Sequence, residues 1–98
     1  KMKLGVLVIK NKKGSTVGIC TDGDIKRAIQ KNRDIKNLTV KKIMTKKPIT
    51  IDKFTLAAKA LSIMNSKKIT SLCVNDIVNK KKTIGILHIH NILDANVL

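Results

Sequence analysis

The sequence predicts an α/β fold in which a strand–turn–strand–helix unit occurs twice. Three observations predict it. Short β-branched runs are bounded by turn residues, apolar residues recur at helical spacing between those runs, and two stretches of the chain align with each other. The length of 98 residues allows one modest core and excludes a two-domain enzyme with an active site between the domains. With 43% hydrophobic residues, one Phe and no Trp or Tyr, the chain is expected to fold around an aliphatic core rather than stay disordered.

The elements follow in order. Residues 4–9 form a fully apolar, β-branched run and read as a buried strand. Asn11-Lys-Lys-Gly14 reads as a turn, with a glycine available for positive φ. Residues 16–20 read as the return strand of a hairpin. Residues 22–31 read as a helix with Ile25, Ala28 and Ile29 on one face, and the polar stretch 32–37 ends it. A short element is expected at 40–44. Pro48 forces the residue before it into extended backbone, and 49–51 reads as a short strand. Phe54, Ala57, Ala58, Leu61 and Met64 recur at helical spacing over 55–65 and are expected in the core. Residues 71–75 and 83–87 read as a second hairpin around a lysine-rich tip at 78–82. His90 opens the last expected helix, which carries Ile92, Leu93 and Val97.

The internal repeat joins these elements. Residues 4–9 fall on 69–74 at an offset of 65, and residues 17–25 fall on 84–92 at an offset of 67. The change of offset lies in the hairpin turn, where insertions cost little. The second unit also owns an upstream strand and helix that the first lacks. The expected organisation is therefore a first repeat truncated at its N-terminus (1–38) and a second repeat (39–98).

The net charge is +15, from 21 Lys and Arg against 6 Asp and Glu. Such a charge suits nucleic acid or an anionic surface. Yet 19 of the basic residues are Lys, beside 15 Ile and 8 Asn, the bias an AT-rich genome writes on any protein. Arginine forks and stacking aromatics, which nucleic-acid readers use, are missing, so nucleic acid is not the expected partner. Cys20 and Cys73 have no metal-ligand spacing and read as buried reduced thiols of a cytoplasmic protein. The longest apolar run, 4–9, is too short to cross a membrane, and no signal peptide is recognised. Six scattered carboxylates and no nucleophile–base pairing argue against catalysis by this chain.

Strand, turn, strand and helix, with Gly18-Ile-Cys-Thr21-Asp-Gly-Asp24 at the corner, resemble the cystathionine β-synthase (CBS) domain, whose ligand signature is Gly-h-x-Thr-x-x-Asp with h apolar. Lys42-Ile-Met-Thr45-Lys-Lys-Pro48 is similar to the family's linker into its second motif. The stretches TDGDIKRAI, LTVKKIMTKKP and KKITSL…GILHIHNIL are similar to the C-terminal CBS pair of bacterial arabinose-5-phosphate isomerases. Those enzymes join it to a sugar-isomerase (SIS) catalytic domain and serve Kdo synthesis for lipopolysaccharide or capsule. The resemblance implies a tandem CBS pair packed about a pseudo-two-fold and a regulatory role without catalysis of its own. It also implies homodimers of pairs within a tetrameric parent. The ligands it suggests are AMP or ATP, CMP, or the nucleotide sugar CMP-Kdo, with no metal.

The site expected from the residues centres on Thr21 and Asp24. Thr21 sits at a helix start, where free N–H groups favour an anion. Asp24, one turn on, can accept two ribose hydroxyls. Asp22 and Arg27 complete this group, Arg27 as a cation for phosphate. The same Thr-x-x-Asp spacing also reads as a capping box, and both readings stay open. In the second unit His88 stands where Thr21 stands and Asn91 where Asp24 stands, so that half has a neutral side chain in the acidic position. On a strand, His88 and His90 would face one side and could bind a metal with a third ligand, but no such ligand is evident. By the resemblance, Thr50, Ile69, Thr70 and Ser71 line the cleft; strand packing alone would equally account for them.

Overall fold

The computed structural model describes residues 5–32 and 35–94, the last by its backbone. The chain divides into two compact units, 1–48 and 49–98. In the first, β1 (Val6–Lys10) and β2 (Thr16–Thr21) form an antiparallel hairpin, followed by α1 (Asp22–Lys31), the short α2 (Val40–Ile43) and β3 (Thr45–Lys46). The sheet order is β1-β2-β3. The turn forms because Asn11 folds its side chain over it. Asn11 Oδ1 accepts the N–H groups of Lys13 and Ser15, both at 3.0 Å, and Gly14 takes φ +81°, a left-handed conformation that costs glycine little. The register places Ile9 opposite Gly18 and Val6 opposite Thr21, with a bulge after Ile9.

Strand β3 pairs with β2 through Gly18 and Ile19, opposite Lys46 and Thr45. This pairing carries the linker into the first unit, which runs to Pro48. Gly18 is required there. A Cβ on it would lie 2.9 Å from the Thr45 carbonyl oxygen and 2.6 Å from Met44 Sδ. Among the described residues of this unit, Ile19, Cys20 and Ala28 form its buried hydrophobic core.

The second unit runs β4 (Thr50–Ile51), α3 (Ala57–Lys67), β5 (Ser71–Asn75), β6 (Thr83–His88) and α4 (Ile89–Asp94). Strands β4 and β5 are parallel, and β5 and β6 antiparallel. Parallel neighbours need a crossover, which α3 supplies. Its side chains Ala60 and Met64 join Leu72 and Ile92 in the buried cluster, flanked by Ile51, Leu61, Ile63 and Leu87. Ser71, Asn75 and Thr83 are buried polar residues of the hairpin, and the last two bond each other. Thr83 Oγ1 donates to Asn75 Oδ1 at 2.8 Å, and Asn75 Nδ2 donates to the Lys80 carbonyl at 2.8 Å, as burial of polar groups demands.

The structure corrects one part of the expected core. Phe54, Ala57 and Ala58 are exposed, Phe54 at 74%. The helix starts at Ala57, and Asp52 caps a turn before it by accepting the Phe54 N–H at 2.8 Å. The Phe54 ring points to solvent, with Lys53 Nζ 5.4 Å from its centroid. The face of α3 that packs is the one bearing Ala60 and Met64. Leu4 and Val97, expected in the first strand and last helix, lie outside the described residues. Cys20 and Cys73 are free and buried. Among the described residues no helix is long and apolar enough to cross a membrane.

Candidate functional site

In the first unit β2 ends and α1 begins at Thr21, whose extended backbone (φ −103°, ψ 167°) turns the chain into the helix. The first turn of any helix leaves N–H groups unpaired. Thr21 and Asp24 satisfy two of them reciprocally. The Asp24 N–H donates to Thr21 Oγ1 at 3.2 Å, and the Thr21 N–H donates to Asp24 Oδ2 at 2.9 Å. The capping box expected from the spacing is therefore present.

Asp24 is buried and does more than cap. Arg27 Nη2 donates to its Oδ1 at 2.7 Å in an ion pair. Thr45 Oγ1, from β3, lies 3.3 Å from both carboxylate oxygens. Burial alone would raise the Asp24 carboxyl. The Thr21 backbone bond, then the bonds from Arg27, the Thr21 side chain and Thr45, outweigh it and hold the group below the ordinary carboxylate range. Asp24 is thus a charged carboxylate at working pH. Its longest bonds come from one hydroxyl divided between two oxygens, which is the weakest part of its shell.

Asp24 also lines an open groove between α1 and α2, together with Arg27, Lys31, Asn32 and Lys42. Sequence reasoning had named Asp24 and Arg27 of this set. It missed Lys31 and Asn32, at the end of α1 itself, and Thr45 and Lys42, which reach the carboxylate or its groove only because β3 pairs with β2 and α2 lies beside α1. Asp22 stands at the same helix start. It is exposed and accepts the Gly5 N–H through Oδ2 at 3.3 Å, tying the entry of β1 to the helix start.

The second unit repeats the corner with different chemistry. The His88 N–H donates to Asn91 Oδ1 at 2.8 Å, and the His90 N–H donates to His88 Nδ1 at 3.1 Å. His88 ends β6 and His90 lies in α4, which begins at Ile89, so the two do not share a strand. The two rings instead stack across the corner, 4.9 Å apart and 19° from parallel. Burial, and then the charge of His90, lower the His88 pKa. An accepting Nδ1 places the proton of the neutral ring on Nε2. Ser71 stands opposite His88 in the β5–β6 register, and the Thr70 carbonyl accepts the Ile89 N–H at 2.8 Å. Thr70 and Ser71 thus meet this corner, while Ile69 packs against the core of the unit and Thr50 pairs with Cys73 further along β5.

Both thiols are chemically quiet. Burial, then the charges of Asp24 and Asp22, raise Cys20. Burial also raises Cys73, against the pull of a bond with the Thr83 hydroxyl. A raised thiol pKa removes the nucleophilic thiolate. Among the described residues no three His, Cys, Asp or Glu side chains gather closely enough to hold a metal ion.

Comparison with known proteins matches this geometry to a family. The CBS domain family matches residues 40–97, more than half of the chain. Arabinose 5-phosphate isomerase KdsD of Pseudomonas aeruginosa is 37% identical over 95 residues, covering 97% of this chain and 28% of the relative. The chain thus spans less than a third of the length of that curated relative. Among solved structures, the CBS domain pair of protein MJ0100 in complex with 5′-methylthioadenosine and S-adenosyl-L-methionine superposes with a TM-score of 0.80. Its identity is 25%, over 93% of this chain and 68% of that one. CBSX2 in complex with AMP gives a TM-score of 0.71 at 26% identity, over 94% of this chain and 70% of that one. The chain belongs to the CBS domain family and has the fold of CBS domain pairs.

Proposed function

We propose that the chain is the ligand-sensing CBS pair of a cytoplasmic arabinose-5-phosphate-isomerase-like protein. In this reading a nucleotide or nucleotide sugar binds at the start of α1 and biases a sugar-isomerase (SIS) catalytic domain elsewhere in the protein. The observation that carries it is Asp24, a buried carboxylate kept charged beside an open groove. The shared hydroxyl of Thr45 is the weakest partner of that carboxylate, and a ribose diol can replace it with two better bonds. The ligands named with the CBS structures above, AMP, 5′-methylthioadenosine and S-adenosyl-L-methionine, all carry such a ribose. The similarity to KdsD supports an isomerase parent, and CMP and CMP-Kdo join AMP and ATP among the ligands to test. A ligand that prefers one arrangement of the pair shifts the population of states of the attached enzyme.

Calorimetry and thermal-shift measurements with AMP, ATP, CMP and CMP-Kdo test this function. Binding of one of them, abolished by Thr21→Ala with Asp24→Ala, is the expected result. No heat and no shift with any of the four would remove the sensor role.

A second reading, assembly without ligand, is favoured by the apolar face of α1. Ile25 is 40% and Ile29 53% exposed, a face suited to a second copy of the chain. Sedimentation of the chain and of its Ile25→Glu, Ile29→Glu variant tests it. A dimer that dissociates in the variant supports assembly, and a monomer in both removes it.

A further inference from the structure

The side of α1 offers chemistry separate from its start. Arg27 and Lys31, four residues apart, share one face of the helix, and Lys42 comes from α2. All three line a groove of about 230 Å³, as does Asn32. The Arg27 side chain is 62% exposed while its Nη2 is fixed on Asp24. The ion pair therefore aims the guanidinium and leaves its other N–H groups for a ligand. Gly23 keeps the space it needs, since a Cβ there would lie 3.2 Å from Arg27 Nη1. Lys31 and Lys42 have no ion-pair partner among the described residues.

Three cations against one carboxylate leave two positive charges in the groove. Holding like charges together is unfavourable until an anion joins them. A phosphate monoester carries about −1.5 to −2 at pH 7 and matches that excess. The volume is below the roughly 300–1,000 Å³ of sites for drug-sized ligands, and it suits a phosphoryl group with an adjoining sugar. We infer that the groove between α1 and α2 binds a phosphate monoester group, held by Arg27, Lys31 and Lys42. The site goes beyond the proposed nucleotide function and does not require a nucleoside at Thr21.

The test is titration of the chain with inorganic phosphate at constant ionic strength, followed by amide shifts in NMR. Saturable shifts in α1 and α2 are expected. Lys31→Gln with Lys42→Gln weakens binding about tenfold or more, as loss of two charge-assisted contacts requires. Lys80→Gln with Lys81→Gln removes the same charge from the exposed hairpin tip and changes binding by less than about twofold, since distant surface charges are screened. Equal weakening by both variants, or shifts spread over the lysine-rich surface, overturns the inference. AMP titrated alongside separates the two readings. AMP binding that is lost in Thr21→Ala with Asp24→Ala, in a chain whose phosphate response Lys31→Gln with Lys42→Gln leaves unchanged, overturns the groove and leaves the sensor standing. Phosphate binding that is lost in the groove variant, in a chain that ignores AMP, supports the groove alone.

Discussion

The His88 N–H donates to Asn91 Oδ1 at 2.8 Å, as the Thr21 N–H donates to Asp24 Oδ2 at 2.9 Å. One corner closes on a neutral amide and the other on a charged carboxylate. A negative charge in the first turn of a helix is favourable by about 0.3–1 kcal/mol. Asn91→Asp therefore stabilises the chain by about that amount at pH 7, read from urea unfolding midpoints. A lower midpoint would show that the amide nitrogen of Asn91 is needed.

Asp24→Asn removes the Arg27 ion pair and turns one accepting oxygen into a donor facing a donor. Such a buried mismatch costs about 1–3 kcal/mol. The loss depends on pH. The folded-state pKa of Asp24 is depressed, so its contribution is fully present above the unfolded value near 3.9 and is lost as pH falls through the lower folded value. Urea midpoints of wild type and variant therefore converge between neutral and strongly acidic pH. A gap that stays constant down to about pH 3 would assign the effect to shape rather than charge.

Gly18→Ala sets a Cβ against the Thr45 carbonyl and Met44 Sδ. The methionine tail can swing aside, but the β3 backbone cannot move without losing its pairing. The cost is about 1–3 kcal/mol, as for other overpacked sites, and Thr45 is pushed off Asp24. An unchanged urea midpoint would contradict the close approach of β2 and β3.

Phe54→Ala changes stability by no more than about 0.5 kcal/mol, because an exposed side chain away from caps and cores contributes little. A loss of about 3 kcal/mol or more, the range for a core aromatic, would return Phe54 to the interior where its helical spacing had put it.

That misplacement shows where the chain is legible and where it is not. The run 22–31 was readable as α1 because the Thr-x-x-Asp start, the apolar spacing and the polar exit agree on one answer. Both hairpins were readable because β-branched runs flank short polar turns. Phe54 misled because helical spacing continues by chance into a turn that Asp52 organises through a bond to the Phe54 N–H. At the site, Thr21, Asp24 and Arg27 are neighbours in sequence, and their meeting follows from helix geometry. Thr45 and Lys42 meet them only through the pairing of β3 with β2 and the placement of α2, and neither leaves a periodic trace. The one usable signal was Gly18, since a buried glycine in a strand marks close approach of another backbone.

His88 carries the last prediction. Its Nδ1 accepts the His90 N–H at 3.1 Å, and its ring stacks on that of His90. Protonation would place a donor against a donor and bring two cations together. Burial and the His90 charge accordingly lower the His88 pKa, and the neighbours Ser71 and Asn91 add no charge. The sign follows. A group that binds its proton less readily when folded contributes stability that is fully present above its unfolded value near 6.5 and is lost as pH falls through that value toward the folded one. Wild-type stability should therefore drop from about pH 7.5 to pH 5, by no more than about 1.4 kcal/mol per pH unit. His88→Thr, which installs the residue of the first corner, removes that part of the drop. Imidazole NMR gives the decisive reading, for a His88 ring that titrates at or above the value of a free histidine would show that Nδ1 is not held as an acceptor.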